Sequence, residues 1–213
     1  EFNIGYTYIM NKLLDLLKSY GFSLFYILLF EMAYILLGYK GNSVSIRKNK
    51  HSTDTIPCPY FFLSKIHKTL QEKQINLFVD LGCGNGRVIY FFRKKFKTRY
   101  LGVELFNEPY VQSYKLFENI NEVEIIKKNF FEIDYQSINA DCYFINDPLK
   151  DRKIHDNLIK TLISGHNSKK GELIFILINL SLDKLEIFKK MKLIDSFKIN
   201  DRGYYIYVHN NIN

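Results

Sequence analysis

Three glycines at alternate positions, Gly82, Gly84 and Gly86, follow an apolar run that contains the carboxylate of Asp80, in the stretch LFVDLGCGNGRVIYFF. Glycine lets a backbone bend sharply and approach a ligand closely, and three of them cost more backbone entropy than a plain strand-to-helix corner requires. In an open α/β sheet such a turn lies at the carboxyl end of a strand, where ligands bind. We therefore favour a ligand site over a plain corner, with Asp80 suited to an amino group.

The same stretch resembles motif I of the class I S-adenosylmethionine-dependent methyltransferases. Its glycine spacing, G-x-G-x-G, differs from the dinucleotide fingerprint G-x-G-x-x-G, and the preceding carboxylate suits an amino group and a sulfonium better than a pyrophosphate. The resemblance implies S-adenosyl-L-methionine as the cofactor. It places Asp80, Gly82, Cys83, Gly84 and Gly86 in the cofactor site, where Cys83 serves as a small side chain rather than as a nucleophile.

Further cofactor contacts are implied by the same resemblance at the ends of the next two strands. Glu104 stands where the family has the acidic residue that holds both ribose hydroxyls, and a carboxylate accepts two hydroxyl donors. Asn129 replaces the usual Asp beside the adenine, and Phe130 would line the ring. Alternatively, Asn129 belongs to an ordinary loop and Phe130 to the core.

The acceptor side is predicted at the segment DCYFINDPLK, which resembles the D-x-x-x-x-[ND]-P-P-[YF] block of amino-methylating members. Asn146 and Pro148 match, whereas Asp147 replaces the first Pro and Leu149 replaces the aromatic residue. We predict that Asn146, Asp147 and Pro148 are catalytic residues, holding the amine N–H groups and aiming the nitrogen lone pair at the methyl group. A turn stiffened by proline is the alternative.

The segment TDTIPCPYFFLSKI resembles the Pro-x-Pro-Tyr lead-in of small bacterial methyltransferases of unassigned substrate and of membrane-anchored lysine methyltransferases of the ATP synthase c-subunit type. In that family this segment folds over the cofactor. The resemblance therefore makes Thr55 and Tyr60 candidates for contacts to its methionine end, with Tyr60 also a catalytic candidate. The whole resemblance covers roughly residues 50–208.

Short β-rich runs alternate with helical spacing through this region, which is typical of a parallel sheet covered on both faces. The last two runs are joined by NDRGY alone and predict an antiparallel hairpin. We therefore expect an α/β fold: a Rossmann-like doubly wound, mostly parallel seven-stranded sheet with a C-terminal antiparallel hairpin. The predicted strands are 77–81, 100–104, 123–127, 142–146, 172–178, 193–200 and 204–209, and the predicted helices are 86–96, 109–120, 151–164 and 181–190.

An apolar segment, residues 21–38, precedes that region and has Glu31 near its centre. Its length is at the lower edge of what spans a bilayer, and a carboxylate is costly there. It could be a membrane span, a helix lying in the membrane interface or a buried core helix, and we favour membrane association. We divide the chain into a membrane-associated helical part, 1–40, a linker and cofactor-covering lead-in, 41–59, and the methyltransferase domain, 60–213.

Basic residues are more numerous after the apolar segment than before it, which predicts a catalytic domain on the cytosolic face of a membrane, with a cytoplasmic protein as the alternative. The formal net charge of +8 is compatible with nucleic acid or anionic lipid, or with the Lys-rich codon usage of an A/T-rich genome. Cys58, Cys83 and Cys142 show neither pairing nor zinc spacing, which favours a reducing compartment and no metal. His155 and Asp151 are kept only as candidates for the rim of the site.

These observations predict a membrane-associated methyltransferase that transfers a methyl group to an amine, most simply a protein lysine. A methyltransferase for a small-molecule, lipid-linked or saccharide hydroxyl or carboxyl is the second hypothesis. A nucleic-acid adenine methyltransferase is favoured by the basic charge and opposed by Leu149, on whose aromatic counterpart a flipped base would stack. A non-enzymatic cofactor-binding protein and an NAD-dependent oxidoreductase are less favoured.

Overall fold

The computed structural model describes residues 17–18, 20–41, 57–147, 151–166, 171–179, 186–200 and 202–210. Within them a seven-stranded sheet has the order β3-β2-β1-β4-β5-β7-β6. Neighbouring strands from β1 to β5 are parallel, and β7 runs antiparallel to both β5 and β6. The strands are β1 (Leu77–Leu81), β2 (Arg99–Glu104), β3 (Val123–Lys127), β4 (Cys142–Asn146), β5 (Glu172–Ile178), β6 (Lys192–Ile199) and β7 (Arg202–Asn210).

The sheet confirms the predicted fold class, including the C-terminal antiparallel hairpin. From β1 the chain winds outward to β3 and then returns to place β4 on the other side of β1. Asp80 of β1 is thereby aligned with Gly102 on one side and Phe144 on the other. The strand order reverses between β1 and β4, so a crevice opens at their carboxyl ends, which is where open α/β sheets bind ligands.

The predicted helices 86–96, 109–120 and 151–164 are present with different ends, where side-chain periodicity gives little information, whereas the helices Tyr60–Leu70 and Tyr135–Ile138 were not predicted. The helix after the glycine loop ends at Arg93 instead of residue 96, and the part of 181–190 that is described is a short 3₁₀ helix, Glu186–Lys190. The α-helices are α1 (Ser23–Leu36), α2 (Tyr60–Leu70), α3 (Arg87–Arg93), α4 (Asn107–Phe117), α5 (Tyr135–Ile138) and α6 (Arg152–His166), and a second 3₁₀ helix covers Phe130–Glu132.

Each central strand is buried on both faces because the side chains alternate between two apolar clusters. In β1, Phe78 packs in the cluster that includes α2 and α3, whereas Val79 and Leu81 pack in the cluster that includes α6. The sheet therefore has a fixed position between two helical layers. That rigidity fixes the side chains at the strand ends relative to one another.

Helix α1 packs along α2 by one face and leaves its other face exposed. Leu24 and Ile27 are buried on the inner face. The outer face exposes Phe22, Phe25, Tyr26, Leu28, Leu29, Met32, Ile35 and Leu36. With 14 residues the helix is about 21 Å long at 1.5 Å per residue, against about 30 Å for a bilayer core. Within the described segments, we find no helix that combines the length and apolar character needed to cross a membrane.

Candidate active site

A small pocket lies at the carboxyl ends of β1 and β4, beneath two segments from the N-terminal part of the chain. Its enclosed space is about 30 Å³, room for about one water molecule. This space is far below the roughly 300 to 1,000 Å³ of typical small-molecule pockets. The lining residues are Gly41, Pro57, Cys58, Asp80, Gly82, Cys83, Asn85, Arg87, Val88, Phe144 and Asn146.

Asp80 is the strongest sign that this pocket binds a ligand. The residue is buried, and its Oδ2 has no hydrogen-bond partner among the residues that the structure describes. Burial, reinforced by the nearby charge of Glu104, raises the pKa of Asp80 to about 8. A buried acceptor without a donor is costly, and a ligand ammonium group would supply both a donor and a compensating charge.

The glycine loop has the backbone shape that its spacing predicts. Gly82, Gly84 and Gly86 have φ of 83°, 53° and 82°, in the left-handed region that favours glycine. A Cβ at residue 86 would lie 2.5 Å from Cε2 of Phe117. The close packing at Gly86 is therefore against helix α4.

Cys83 contributes its backbone to the loop, while its side chain points into the protein. A Cβ added at Gly102 of β2 would lie 2.9 Å from Sγ of Cys83. Burial raises the pKa of the Cys83 thiol well above its usual value. The thiol is thus kept protonated and acts as a small core side chain.

Glu104 joins the loop to the end of β2. Its Oε2 accepts the Gly84 N–H at 3.0 Å and its Oε1 accepts the Phe106 N–H at 2.8 Å. The carboxylate is buried. The predicted contact of Glu104 with the ribose hydroxyls stays a prediction.

The two residues predicted beside the adenine already use some of their hydrogen-bonding atoms in contacts with nearby residues. Oδ1 of Asn129 accepts the Phe131 N–H at 3.1 Å and so begins the 3₁₀ helix. Phe130 is half-buried, and its carbonyl accepts the hydroxyl of Tyr135 at 2.6 Å. The amide oxygen of Asn129 retains a second lone pair, so its predicted adenine contact is neither required nor prevented by this geometry.

On the acceptor side, the structure brings together two residues that the sequence keeps apart. Asn146 ends β4 and lines the pocket, and Asp147 follows it with φ of 38°. Oδ1 of Asp147 lies 3.6 Å from Nε2 of His155 in α6. The His155 side chain is 4% exposed and that of Asp147 is 40% exposed, so Asp147 is the member of the pair that an acceptor can reach. Pro148 and Thr55 lie outside the described residues.

Tyr60 begins α2 and is fully buried behind the pocket wall. Its N–H donates to Oε1 of Glu31 at 2.8 Å, and the Arg87 guanidinium lies 3.8 Å from its ring centroid. Arg87 also forms an ion pair with Glu31 through Nη2 and Oε2. Burial raises the pKa of Tyr60 to about 12, although the charge of Arg87 opposes the shift. Tyr60 therefore contacts the pocket through Arg87, which lines it.

Comparison with known proteins places this geometry among methyltransferases. An RNA methyltransferase from Salinibacter ruber, solved with S-adenosyl-L-homocysteine, superposes with a TM-score of 0.57 over 74% of this chain and 96% of its own, at 13% identity. A methyltransferase from Geobacter sulfurreducens gives 0.55 over 70% and 78%, at 12% identity. At these identities the likeness establishes the fold.

A protein-lysine N-methyltransferase from Saccharolobus islandicus is 28% identical over 94 residues, which are 42% of this chain and 58% of that protein. The chain thus spans a little over half the length of this curated relative. No family model matches. Fold, glycine loop and relative together support an S-adenosylmethionine-dependent methyltransferase.

Two features of this site were not recognised from the sequence. One is the Glu31–Arg87 ion pair, whose signal was a carboxylate in an apolar run and an arginine directly after the glycine loop. The other is the contact between Asp147 and His155, which had no signal in residue spacing. Both contacts depend on tertiary packing: α1 must pack beside α3 for the first, and α6 beside the end of β4 for the second.

A larger hollow of about 630 Å³ lies at the opposite, amino end of β1 and β2 and is lined in part by Arg93, Phe96 and Arg99. It is open to solvent, and it lies away from the glycine loop. In this sheet topology the chemistry belongs to the carboxyl ends of the strands. We therefore assign the site to the small pocket at Asp80.

Proposed function

We propose that this protein transfers a methyl group from S-adenosyl-L-methionine to an amine, and that the amine is a lysine side chain of another protein. The observation that carries the proposal is the buried, unpartnered Oδ2 of Asp80 in the same pocket as Asn146. Asp80 would hold the ammonium group of the cofactor, and Asn146 stands at the neighbouring strand end where the acceptor would arrive. The relative from Saccharolobus islandicus supports lysine as the acceptor.

The residues of this chain can align and prepare a lysine. When bound, the cofactor supplies a methyl group already activated on a sulfonium, so positioning provides much of the rate. The exposed carboxylate of Asp147 would attract the lysine ammonium, and His155 would hold that carboxylate in place. The carbonyl of the Asn146 side chain would then accept an N–H and direct the nitrogen lone pair. The lysine must lose a proton first, which a desolvated site favours.

A labelled-methyl transfer assay tests this proposal with the Asp147→Asn variant. We expect label from S-adenosyl-L-methionine to enter protein bands of a cell extract, and Asp147→Asn to lower kcat/KM for the labelled protein by about 10-fold or more, as for a lost hydrogen bond to a charged group. The control is Asp156→Asn, which removes only a surface pair with Lys160 on α6. Equal activity of Asp147→Asn and wild type would contradict the role of Asp147.

A hydroxyl acceptor is the second candidate, favoured by the 3.6 Å contact between Asp147 and His155. A hydroxyl needs a general base, and this pair could receive its proton. Label in a lipid or small-molecule fraction instead of protein would select this candidate. Label in nucleic acid would select adenine methylation, and cofactor binding without any transfer would select a non-enzymatic protein.

We also propose that the outer face of α1 lies on the cytosolic surface of an anionic membrane. The exposed Phe22, Phe25 and Leu29 would enter the headgroup boundary. The exposed Lys18 and Lys40 flank the helix, and the net charge of the chain is +8, so anionic lipid is complementary. Since the described helix is too short to span a bilayer, an in-plane orientation is favoured.

Vesicle sedimentation tests the membrane proposal. We expect the wild type to bind vesicles of phosphatidylcholine and phosphatidylglycerol. The double variant Phe25→Ser/Leu29→Ser should bind at least about 100-fold more weakly, because each buried side chain of this kind contributes about 1.5 to 3 kcal/mol. Leu193→Ser on β6, which removes an exposed leucine elsewhere, should bind like wild type. Failure of the wild type to bind vesicles would mean that this face meets a protein instead.

A further inference from the structure

The pocket contains a second buried charge that neither the sequence motif nor the mechanism uses. Arg87 directly follows the glycine loop, lines the pocket with Asp80, and has a side chain that is 9% exposed. Its Nε is buried and has no hydrogen-bond partner among the described residues. Five N–H donors make a guanidinium a strong binder of carboxylates.

Asp80 and Arg87 together give the pocket one carboxyl group, which a ligand ammonium would ionise, and one positive charge. The amino-acid end of S-adenosyl-L-methionine carries one ammonium and one carboxylate. A pocket with a single carboxylate would leave the carboxylate of such a ligand without a partner, and burying it unpaired would be unfavourable. The charges that line this pocket thus complement both groups of a zwitterion.

Arg87 is held in place by residues outside the glycine loop. Glu31 in α1 forms the ion pair with it, and Glu31 also accepts the Tyr60 N–H at 2.8 Å, which joins α1 to the start of α2. The Tyr60 ring lies under the guanidinium at 3.8 Å. Arg87 therefore has few ways to turn, and its unpartnered Nε–H keeps a fixed direction.

The segment after α1 fits closely over the same residue. A Cβ added at Gly41, whose φ is 82°, would lie 2.6 Å from the backbone N and Cα of Arg87. Only glycine can approach that backbone so closely. Helix α1 and the residues that follow it are thus packed onto the cofactor loop, in addition to presenting an apolar face outward.

We propose that Arg87 binds the carboxylate of the cofactor's methionine moiety and that Glu31 of α1 is its positioning residue. The N-terminal helix then completes the cofactor site, and it is more than an anchor. This inference rests on the proposed function, since it assumes that S-adenosyl-L-methionine enters this pocket. It assigns to Arg87 and Glu31 a role that the glycine motif does not specify.

The test compares two ligands that differ only in the carboxylate: S-adenosyl-L-methionine and decarboxylated S-adenosylmethionine, titrated calorimetrically into the full chain. We expect the wild type to bind S-adenosyl-L-methionine at least about 10-fold more tightly than the decarboxylated ligand. This ratio corresponds to the free energy of one hydrogen bond to a charged group. In Arg87→Met the two affinities should become equal. Glu31→Gln should give an intermediate ratio, because the guanidinium remains but is less well oriented.

Each affinity ratio is measured within one protein, so a general loss of stability does not imitate the expected result. If Arg87→Met fails to fold because Glu31 is left unpaired, the double variant Glu31→Gln/Arg87→Met removes both charges and should also give a ratio near one. The matched control Arg93→Met, at the end of the same helix, removes an arginine that pairs with Glu122 and should keep the wild-type ratio.

Four outcomes would overturn the inference in distinguishable ways. Unchanged preference in Arg87→Met would show that another group binds the carboxylate, and unchanged preference in Glu31→Gln would remove the positioning role of α1. Equal binding of both ligands by wild type would show that the carboxylate is not recognised at all. Binding of neither ligand by wild type would instead remove the proposed function, and this inference with it.

Discussion

Glu104→Ala is expected to weaken binding of S-adenosyl-L-methionine by about 3 kcal/mol or more, at least about 100-fold in Kd. Both carboxylate oxygens are engaged in the structure, one with the Gly84 N–H and the other with the Phe106 N–H. The substitution therefore removes the predicted ribose contacts and also releases the glycine loop from the end of β2. Each hydrogen bond to a charged group contributes about 1.5 to 3 kcal/mol. Isothermal titration calorimetry measures the change.

The control for this prediction is Glu122→Ala. Glu122 forms an exposed ion pair with Arg93 just before β3, and such pairs contribute little. The Glu122→Ala variant should bind the cofactor as tightly as wild type does. Cofactor affinity of Glu104→Ala within a factor of three of wild type would show that neither the ribose nor the loop depends on this carboxylate.

Asp80→Asn is expected to have opposite effects on ligand binding and on stability. The substitution removes the carboxylate that would pair with the cofactor ammonium, so affinity should fall by about 1.5 to 3 kcal/mol. The same carboxylate is buried with Oδ2 unpartnered, and burial raises its pKa to about 8. Removing the charge should therefore raise the Tm of the ligand-free protein at pH 9. Differential scanning calorimetry measures the gain.

The pH dependence of that gain has a definite sign. In the unfolded chain Asp80 has an ordinary pKa near 3.9, and in the folded protein its pKa is about 8. Between these values the folded state binds one more proton than the unfolded state, so this group's contribution to stability falls as the pH rises. The Tm difference between Asp80→Asn and wild type should therefore grow from pH 5 to pH 8 and then level off.

Asp134→Asn provides a matched control for Asp80→Asn, because Asp134 is a carboxylate outside the core whose Oδ1 accepts the Gln136 N–H. Its Tm difference from wild type should show no growth between pH 5 and pH 8. A Tm difference for Asp80→Asn that is equally independent of pH would contradict the raised pKa. Retained cofactor affinity would separately contradict the ammonium contact.

The two halves of the proposed site are positioned in different ways, which affects how variants should be interpreted. Asp80 is the last but one residue of β1 and Asn146 is the last residue of its parallel neighbour β4, and the sheet fixes their separation. Arg87 instead depends on Glu31 and Tyr60, which come from helices packed against the sheet. Substitutions in α1 should therefore alter ligand preference without changing the strands, whereas substitutions at strand ends should alter binding directly.

The sequence alone was enough to predict the strands and the glycine loop, since both arise from local constraints. Strand β1 has the predicted bounds because apolar side chains occupy all its positions except Asp80, as burial on both faces requires. The left-handed conformations at Gly82 and Gly86 follow from residue type and spacing. Asp80 and Glu104 could be placed at the carboxyl edge of the sheet because each lies at or next to the end of a predictable strand.

Only the tertiary structure decided how the N-terminal helix packs and which distant groups meet. Residues 21–38 allowed a span, an interfacial helix or a core helix, because hydropathy does not show which face finds a partner. In the fold, Leu24 and Ile27 pack inward and Glu31 reaches Arg87, while Phe25 remains exposed. Contacts of this kind join residues far apart in the chain. They depend on how helices pack against the sheet, and a single sequence does not encode that packing in any local pattern.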